Sequence, residues 1–326
     1  LINLRLSFFK TAQAQAKASP VKGYVFGDER DLTRTYAFVN LLRKHEIDVY
    51  EVDRDLTLGG KRFTKGSAFV VPTEQLNYIM VRSAFEKDIT YTDSIFYDAS
   101  TWSLVHAFNL PHAEIRGTVS KGSRVDQNLT KKFSPVKRSN YAYLIESTDY
   151  NLHRALVSLQ KQKVIVKVAF RSFTARIEGV NKTLKHGTLI IPVTDQNISP
   201  DNVWAAIQNT QEECAMDIHA IETGYNVQGI DIGSGFAVPL KEVKPLMLIG
   251  QGVSGYEAGE VWHLLDQRIN MPITKADVQN INRIDWDKYN VLVLVSGTYS
   301  FDKSIVEKIK GWIQRGGTLI TFKTAT

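Results

Sequence analysis

Apolar and polar positions along this chain follow two rhythms, and the same order of rhythms occurs twice. The first copy starts at Gly23-Tyr24-Val25-Phe26, passes through an amphipathic stretch over 32–45 and then Asp48-Val49-Tyr50-Glu51-Val52. It ends at Gly66-Ser67-Ala68-Phe69-Val70-Val71-Pro72-Thr73-Glu74-Gln75. The second starts at Tyr143-Leu144-Ile145, passes through 152–162 and Val164-Ile165-Val166-Lys167-Val168, and ends at Gly187-Thr188-Leu189-Ile190-Ile191-Pro192-Val193-Thr194-Asp195-Gln196. In both, a glycine leads an apolar strand that stops at a proline, and a glutamine stands nine positions after the glycine. Each unit predicts strand, helix, strand, strand, helix.

In the first helix the spacing puts Phe38, Leu41, Leu42 and His45 on the sheet-facing side, with Tyr36, Val39, Asn40 and Arg43 away from it. A helix between two Val- and Ile-rich strands predicts a right-handed crossover joining a parallel pair. Proline lacks an N–H, so it ends ladder pairing where each apolar run stops. Between the copies, Ser94-Ile95-Phe96-Tyr97-Asp98 followed by 102–108 predicts a turn into a short helix, closed by Pro111. Residues 116–140 carry seven basic side chains against Asp126 alone, which predicts a linker or an exposed basic loop.

From 243 onward the pattern is a third alternation. Pro245-Leu246-Met247-Leu248-Ile249 leads into a glycine-rich turn, a helix over 256–268 and a strand near Pro272-Ile273-Thr274. The buried run Tyr289-Asn290-Val291-Leu292-Val293-Leu294-Val295 follows, then a helix over 304–314 capped by Gly316-Gly317 and a final strand. The fold class expected is α/β, with a parallel, helix-covered sheet in this last part. The domains read as 1–20, a leading helix that continues a preceding element; 21–140, the first repeat with its basic linker; 141–242, the second repeat; and 243–326, an α/β domain expected to be cut short at its C-terminal end.

Composition narrows the classes. The chain has 326 residues, 43% hydrophobic and 23% charged, which describes a globular protein and excludes disorder as its main state. No run approaches the roughly 18 apolar residues of a membrane span, and the mean hydropathy is -0.18. One cysteine, Cys214, excludes an internal disulfide framework and a multi-thiolate zinc site. A net charge of +6 favours weak attraction to anions. Only Phe133 accompanies the basic loop, so the interleaved aromatics that stack bases are missing and no nucleic-acid partner is expected.

Three motifs point to chemistry. Gly250-Gln251-Gly252-Val253-Ser254-Gly255 fits G-x-G-x-x-G between a strand and a helix, which makes Gly250, Gly252, Ser254 and Gly255 the candidate ligand-loop residues. Against a dinucleotide, Glu257 and Glu260 fall in the first helical turn, where a pyrophosphate would sit, and Asp277, the candidate ribose acid, lies in an Asn- and Asp-rich turn without a clear strand before it. His219-Ala220-Ile221-Glu222 has H-x-x-E spacing, yet an alternating strand sends positions three apart to opposite faces, and the only later histidine is His263. Cys214 follows Glu212 and Glu213, which favour the neutral thiol, so it reads as structural. Ser254 and Ser300 are outside G-x-S-x-G, and Asn128, Asn181 and Asn197 open N-x-[ST] triplets of a kind common by chance. No catalytic residue and no metal ligand is assigned.

Three segments resemble the region downstream of the catalytic domain in bacterial proteins of the zinc carboxypeptidase family. They are Ser94-Ile95-Phe96-Tyr97-Asp98-Ala99-Ser100-Thr101-Trp102-Ser103-Leu104, then Gly229-Ile230-Asp231-Ile232-Gly233-Ser234, and above all Gly252-Val253-Ser254-Gly255-Tyr256-Glu257-Ala258-Gly259-Glu260-Val261-Trp262-His263-Leu264-Leu265-Asp266-Gln267-Arg268. The resemblance covers nearly the whole chain from about Pro20 onward. The last part also resembles the class I glutamine amidotransferase-like, flavodoxin-like fold, without the nucleophilic cysteine elbow. It implies a parent peptidase, exported to a periplasm or cell surface, whose zinc is held in a catalytic domain outside this sequence. The family's H-x-x-E pair, downstream histidine and glutamate base map to no position here. This stretch would then be an accessory part whose partner is that catalytic domain, with possible contact to peptide substrate. The alternative is an independent small-molecule or nucleotide-binding module using the Gly250 to Gly255 turn.

Overall fold

A computed structural model of the chain describes residues 2–86 and 103–325. It divides into two compact units, Leu1–Phe133 with Thr148–Tyr150, and Ser134–Ser147 with Asn151–Thr326. The class is α/β. In the first unit α1 (Ile2–Ala18) buries only Ala12 and Ala16. It is followed by β1 (Gly23–Gly27), α2 (Leu32–Lys44), β2 (Tyr50–Glu51), a hairpin of β3 (Leu56–Leu58) and β4 (Lys61–Phe63), β5 (Ala68–Pro72), α3 (Tyr78–Phe85), α4 (Leu104–Ala107) and β6 (His112–Ile115). The second unit repeats the order with β7 (Ala142–Ile145), α5 (Leu152–Lys161), β8 (Lys167–Ala169), the hairpin β9 (Phe173–Ile177) and β10 (Val180–Leu184), β11 (Leu189–Pro192), α6 (Pro200–Cys214) and β12 (His219–Ile221). Two short strands, β13 (Gln228–Gly229) and β14 (Ala237–Pro239), extend it.

The duplication carries through to strand order, β2-β5-β1-β6 in one copy and β12-β7-β11-β8-β14 in the other. The strands joined by the helical crossover run parallel, as expected, but they are not neighbours in the sheet. β5 runs antiparallel to both β1 and β2, and β11 antiparallel to both β7 and β8. The helical crossover does bring β1 and β2 parallel to each other, but the hairpin turns the chain round and the returning strand enters between them. That central strand is dry, with Val70, Val71, Ile190 and Ile191 at 0% exposure, and so are the neighbouring β1 and β7 at Val25, Phe26, Leu144 and Ile145.

The repeated glycine and glutamine now have physical reasons. Gly66 and Gly187 adopt φ of 87° and 88°, a left-handed turn that leads out of the hairpin into the central strand and strains any side-chain-bearing residue. Asp48 N–H donates to Gln75 Oε1 at 2.8 Å, while Gln75 Nε2 donates to Pro72 O at 2.7 Å. In the second copy Ile165 N–H donates to Gln196 Oε1 at 2.7 Å, and Gln196 Nε2 donates to Pro192 O at 2.7 Å. Each amide therefore pairs main-chain groups at the helix-to-strand junction that the proline-ended strand leaves open.

On α2 the buried face is Thr35, Phe38, Val39 and Leu42. Val39 thus points inward and His45, the C-cap, is exposed, the reverse of the periodicity reading, because the stripe starts one turn earlier at Thr35. The basic stretch after β6 lacks regular structure as expected, yet it is strapped to α2: Asn40 and Leu129 exchange two hydrogen bonds of 2.8 Å, and Arg43 donates to Val125 O. Of the expected helix over 102–108, Leu104–Ala107 is helical; Ser94 to Asp98 and Trp102 lie outside the described residues.

The remainder is a parallel sheet of β15 (Pro245–Ile249), β16 (Thr274–Asp277), β17 (Val291–Leu294) and β18 (Thr318–Thr321), in the order β16-β15-β17-β18. Helix α7 (Gly255–Trp262) runs on into a π-helical stretch, His263–Arg268, and α8 (Lys303–Gln314) is closed by Gly316 at φ 102°. Alternate strand residues face opposite helices, with Leu246, Leu248, Leu292 and Leu294 packed with Ile305, Ile309 and Trp312, and Met247, Val293 and Val295 packed with Ala258. Among the described residues no helix is long and apolar enough to cross a membrane.

If the glutamines hold these junctions, Gln75→Ala and Gln196→Ala each lower stability by about 1–3 kcal/mol, the range for leaving part-buried main-chain groups unpaired. Urea unfolding of each variant checks this, and an unchanged midpoint for both would count against the assignment.

Candidate functional site

The four glycine-turn candidates sit together at the carboxyl end of β15. Gly250 has φ 109° and Gly252 φ 84°, so the chain leaves the strand through two left-handed positions before α7 begins at Gly255. A Cβ on Gly250 would lie 2.7 Å from an Asp277 carboxylate oxygen. Asp277 is the last residue of β16, hence at a strand tip, which corrects the reading that placed no clear strand before it. The strand expected near Pro272-Ile273-Thr274 runs on to Asp277, an extension hidden because Thr274-Lys275-Ala276-Asp277 is polar, as an edge strand tends to be. Asp277 Oδ1 accepts from Gln279 N–H at 2.8 Å.

Towards β17 the turn is laced to the next loop. Ser254 N–H donates to Ser296 O at 2.8 Å, Thr298 N–H donates to Gly252 O at 2.9 Å, and Val253 bridges Gly297. A Cβ on Gly297 would stand 2.8 Å from Gly252 O and 3.1 Å from Val253 Cα, so only glycine allows this approach. The Glu257 carboxylate accepts from Ser296 N–H at 2.8 Å and from Lys323 Nζ at 3.0 Å. Those bonds, the Ser296 main chain first, hold its carboxyl below the usual carboxylate range. Ser254 caps α7 by accepting from Glu257 N–H at 3.4 Å. Gly255 faces open space, so helix-to-strand packing, the third role of glycine in a dinucleotide fingerprint, does not require it. Glu260 is exposed.

On the opposite side, between α7 and the β15–β16 edge, lies a pocket of about 330 Å³ lined by Met247, Ile249, Val253, Ala258, Trp262 and Lys275 together with the turn glycines.

The H-x-x-E pair is not brought together. His219 opens β12, whereas Glu222 follows its end and is exposed. His263 is exposed in the π-helical stretch, and Cys214 is buried at the end of α6. His219 instead meets Glu146, at the end of β7, with Nε2 3.2 Å from Oε1; Lys182 Nζ of β10 stands 2.5 Å from the same oxygen and 3.1 Å from His219 Nε2. Hydrogen bonding from His219, then from Lys182, holds the Glu146 carboxyl down at about 2. No local spacing could have assembled this cluster, since its members come from three separate strands or strand ends. Among the described residues no group of three or more His, Cys, Asp or Glu is placed to hold a metal ion.

Because the folded-state pKa of Glu146 is depressed, its contribution is present above the unfolded value near 4.5 and is lost as pH falls towards about 2. Glu146→Gln should therefore lower stability at pH 7 by roughly 1–2 kcal/mol after solvent screening, with the variant and the parent protein converging between about pH 4.5 and 2. Urea midpoints across that range test the sign, and a constant gap would contradict it. At the turn, Gly297→Ala should destabilise by about 1–3 kcal/mol and speed amide exchange at Ser254 and Thr298, whereas Gly255→Ala should not. Equal effects of the two would show that the lacing does not hold the loops.

No protein-family model, no curated protein and no solved structure matches this chain.

Proposed function

We propose that this chain is a non-catalytic accessory region of a zinc carboxypeptidase-like peptidase, exported with its parent to a periplasm or cell surface and docked to the catalytic domain. The sequence support is the run from Gly252 to Arg268, with the shorter segments around Ser94 and Gly229. The structural observation that carries the non-catalytic part is the state of the carboxyl edge of the parallel sheet. Open α/β sheets place ligands in the crevice where the strand order reverses, here between β15 and β17. In this chain the crevice is spanned by main-chain hydrogen bonds between the two loops, and the Glu257 carboxylate takes the Ser296 N–H. The Ser254 and Ser296 N–H groups and the Gly252 carbonyl, which an incoming substrate or phosphate could use, are engaged with the protein itself, while the buried Ser296 hydroxyl has no hydrogen-bond partner among the described residues.

The residues present do not fit a zinc site of the family's kind: His219 is committed to Glu146 and Lys182, and Glu222 is an exposed residue past the end of β12. The nucleotide reading gains one observation, the Asp277 carboxylate at the β16 tip against Gly250, and is opposed by Glu257 at the start of α7.

Metal analysis together with an assay for release of C-terminal amino acids separates these readings from catalysis. The expected result is no turnover and no stoichiometric zinc, while turnover with one zinc per chain would overturn the proposal. Melting temperatures with NAD, FAD and ATP should stay flat; a rise that Gly252→Val abolishes would favour the nucleotide reading, since a ligand bound only to the folded state must stabilise it.

A further inference from the structure

We propose that the pocket between α7 and the β15–β16 edge binds small molecules that combine one flat apolar ring with one carboxylate. Its volume, about 330 Å³, falls at the lower end of the range for small-ligand sites. Met247 and Ile249 stand two apart on β15 and so offer side chains on one face, forming an apolar floor. Val253, Ala258 and Trp262 line the helix side, where Gly255 and Gly259 add no Cβ to fill the space.

One charge borders this apolar surface. Lys275, exposed on β16, holds its ammonium 5.1 Å from the centre of the Trp262 ring, and no carboxylate among the described residues pairs with it. Neither of the two acids near the turn forms an ion pair with Lys275. Glu257 is turned to Ser296 and Lys323 on the far side of the turn, and Asp277 accepts from Gln279 N–H. An apolar floor with an aromatic wall and a single uncompensated cation is complementary to a ring bearing one anion. A carboxylate on the ligand would pair with Lys275 while its ring lies against the half-buried Ile249, Val253 and Trp262, above the buried Met247. The pocket shares Val253, Ser254 and the turn glycines with the laced crevice but is lined by no residue of the β17 loop, and its occupancy does not depend on whether the chain serves a peptidase.

The same chemistry is presented by a free aromatic acid and by the C-terminal residue of a peptide, and two probes tell them apart. Phenylacetate and Gly-Gly-Phe are titrated into the full chain by calorimetry and by fluorescence, with phenylacetamide as the neutral control. The expected result is saturable one-to-one binding of at least one acid, with phenylacetamide at least about tenfold weaker, the factor that 1.4 kcal/mol represents. If Gly-Gly-Phe alone binds, the ligand is a peptide end; if phenylacetate binds at least as well, it is a free acid. Lys275→Ala should bring the acid down to the level of the amide, and Ala258→Leu should block both while thermal unfolding shows that each variant is folded. Absence of saturable binding by either acid, equal binding of acid and amide, or undiminished binding by Lys275→Ala would overturn the proposal.

Discussion

Buried main-chain groups have to be paired, and the architecture of both copies follows from how that requirement is met. A strand that returns through a hairpin enters between two strands running the other way, so its N–H and C=O groups are satisfied on both edges. The awkward place is its end, where proline has no N–H and the incoming loop from the helix passes alongside. There Gln75 and Gln196 offer a donor and an acceptor on one side chain and pair with Pro72 and Asp48, or with Pro192 and Ile165. An apolar residue at that position would leave these groups open, and a carboxylate would lack the donor.

The parallel sheet meets the same requirement differently. At its carboxyl edge, loops that other α/β proteins leave apart are joined by Ser254 and Thr298 N–H groups, with Gly297 permitting the contact. One turn therefore has two unlike sides. Towards β17 the Ser254 N–H and the Gly252 carbonyl are paired with the next loop; towards the β16 edge Lys275 is the one charged residue among those lining the pocket, with the Asp277 carboxylate at the strand tip beside Gly250. Of the glycines that resemble a phosphate cradle, Gly250 and Gly252 serve first as the left-handed positions of the turn between these two surfaces.

The sequence made the duplication, the α/β class and most element positions readable, because each copy carries its own strand and helix periods and its Gly-to-Gln spacing. Strand order was not readable: nothing local in Ala68-Phe69-Val70-Val71-Pro72 says that it enters between β1 and β2 instead of beside them. The strand expected near Pro272-Ile273-Thr274 was placed short of Asp277 because an exposed edge permits Thr, Lys and Asp. Val39 and His45 were exchanged because a face defined by three- and four-residue steps can be rotated by one position without breaking its pattern. The Glu146, Lys182 and His219 cluster is a tertiary product with no spacing of its own.

Comparison of the copies bears on what that cluster is for. Lys61 and Lys182 occupy corresponding places in the second hairpin strand, and both reach the histidine that opens the closing strand: Lys61 Nζ donates to His112 O at 3.2 Å, and Lys182 Nζ approaches the His219 ring. Aligning Tyr24 with Tyr143 puts Gly27 opposite Glu146. Gly27 has φ 149°, and a Cβ there would fall 2.4 Å from Ser67 O, so the first copy has no room for the carboxylate that organises the second. Tethering the hairpin by its lysine is thus common to both copies, whereas the half-buried acid is an addition in one. Since the first copy forms the same sheet order without it, the charge cluster stabilises the second copy without being what selects its topology.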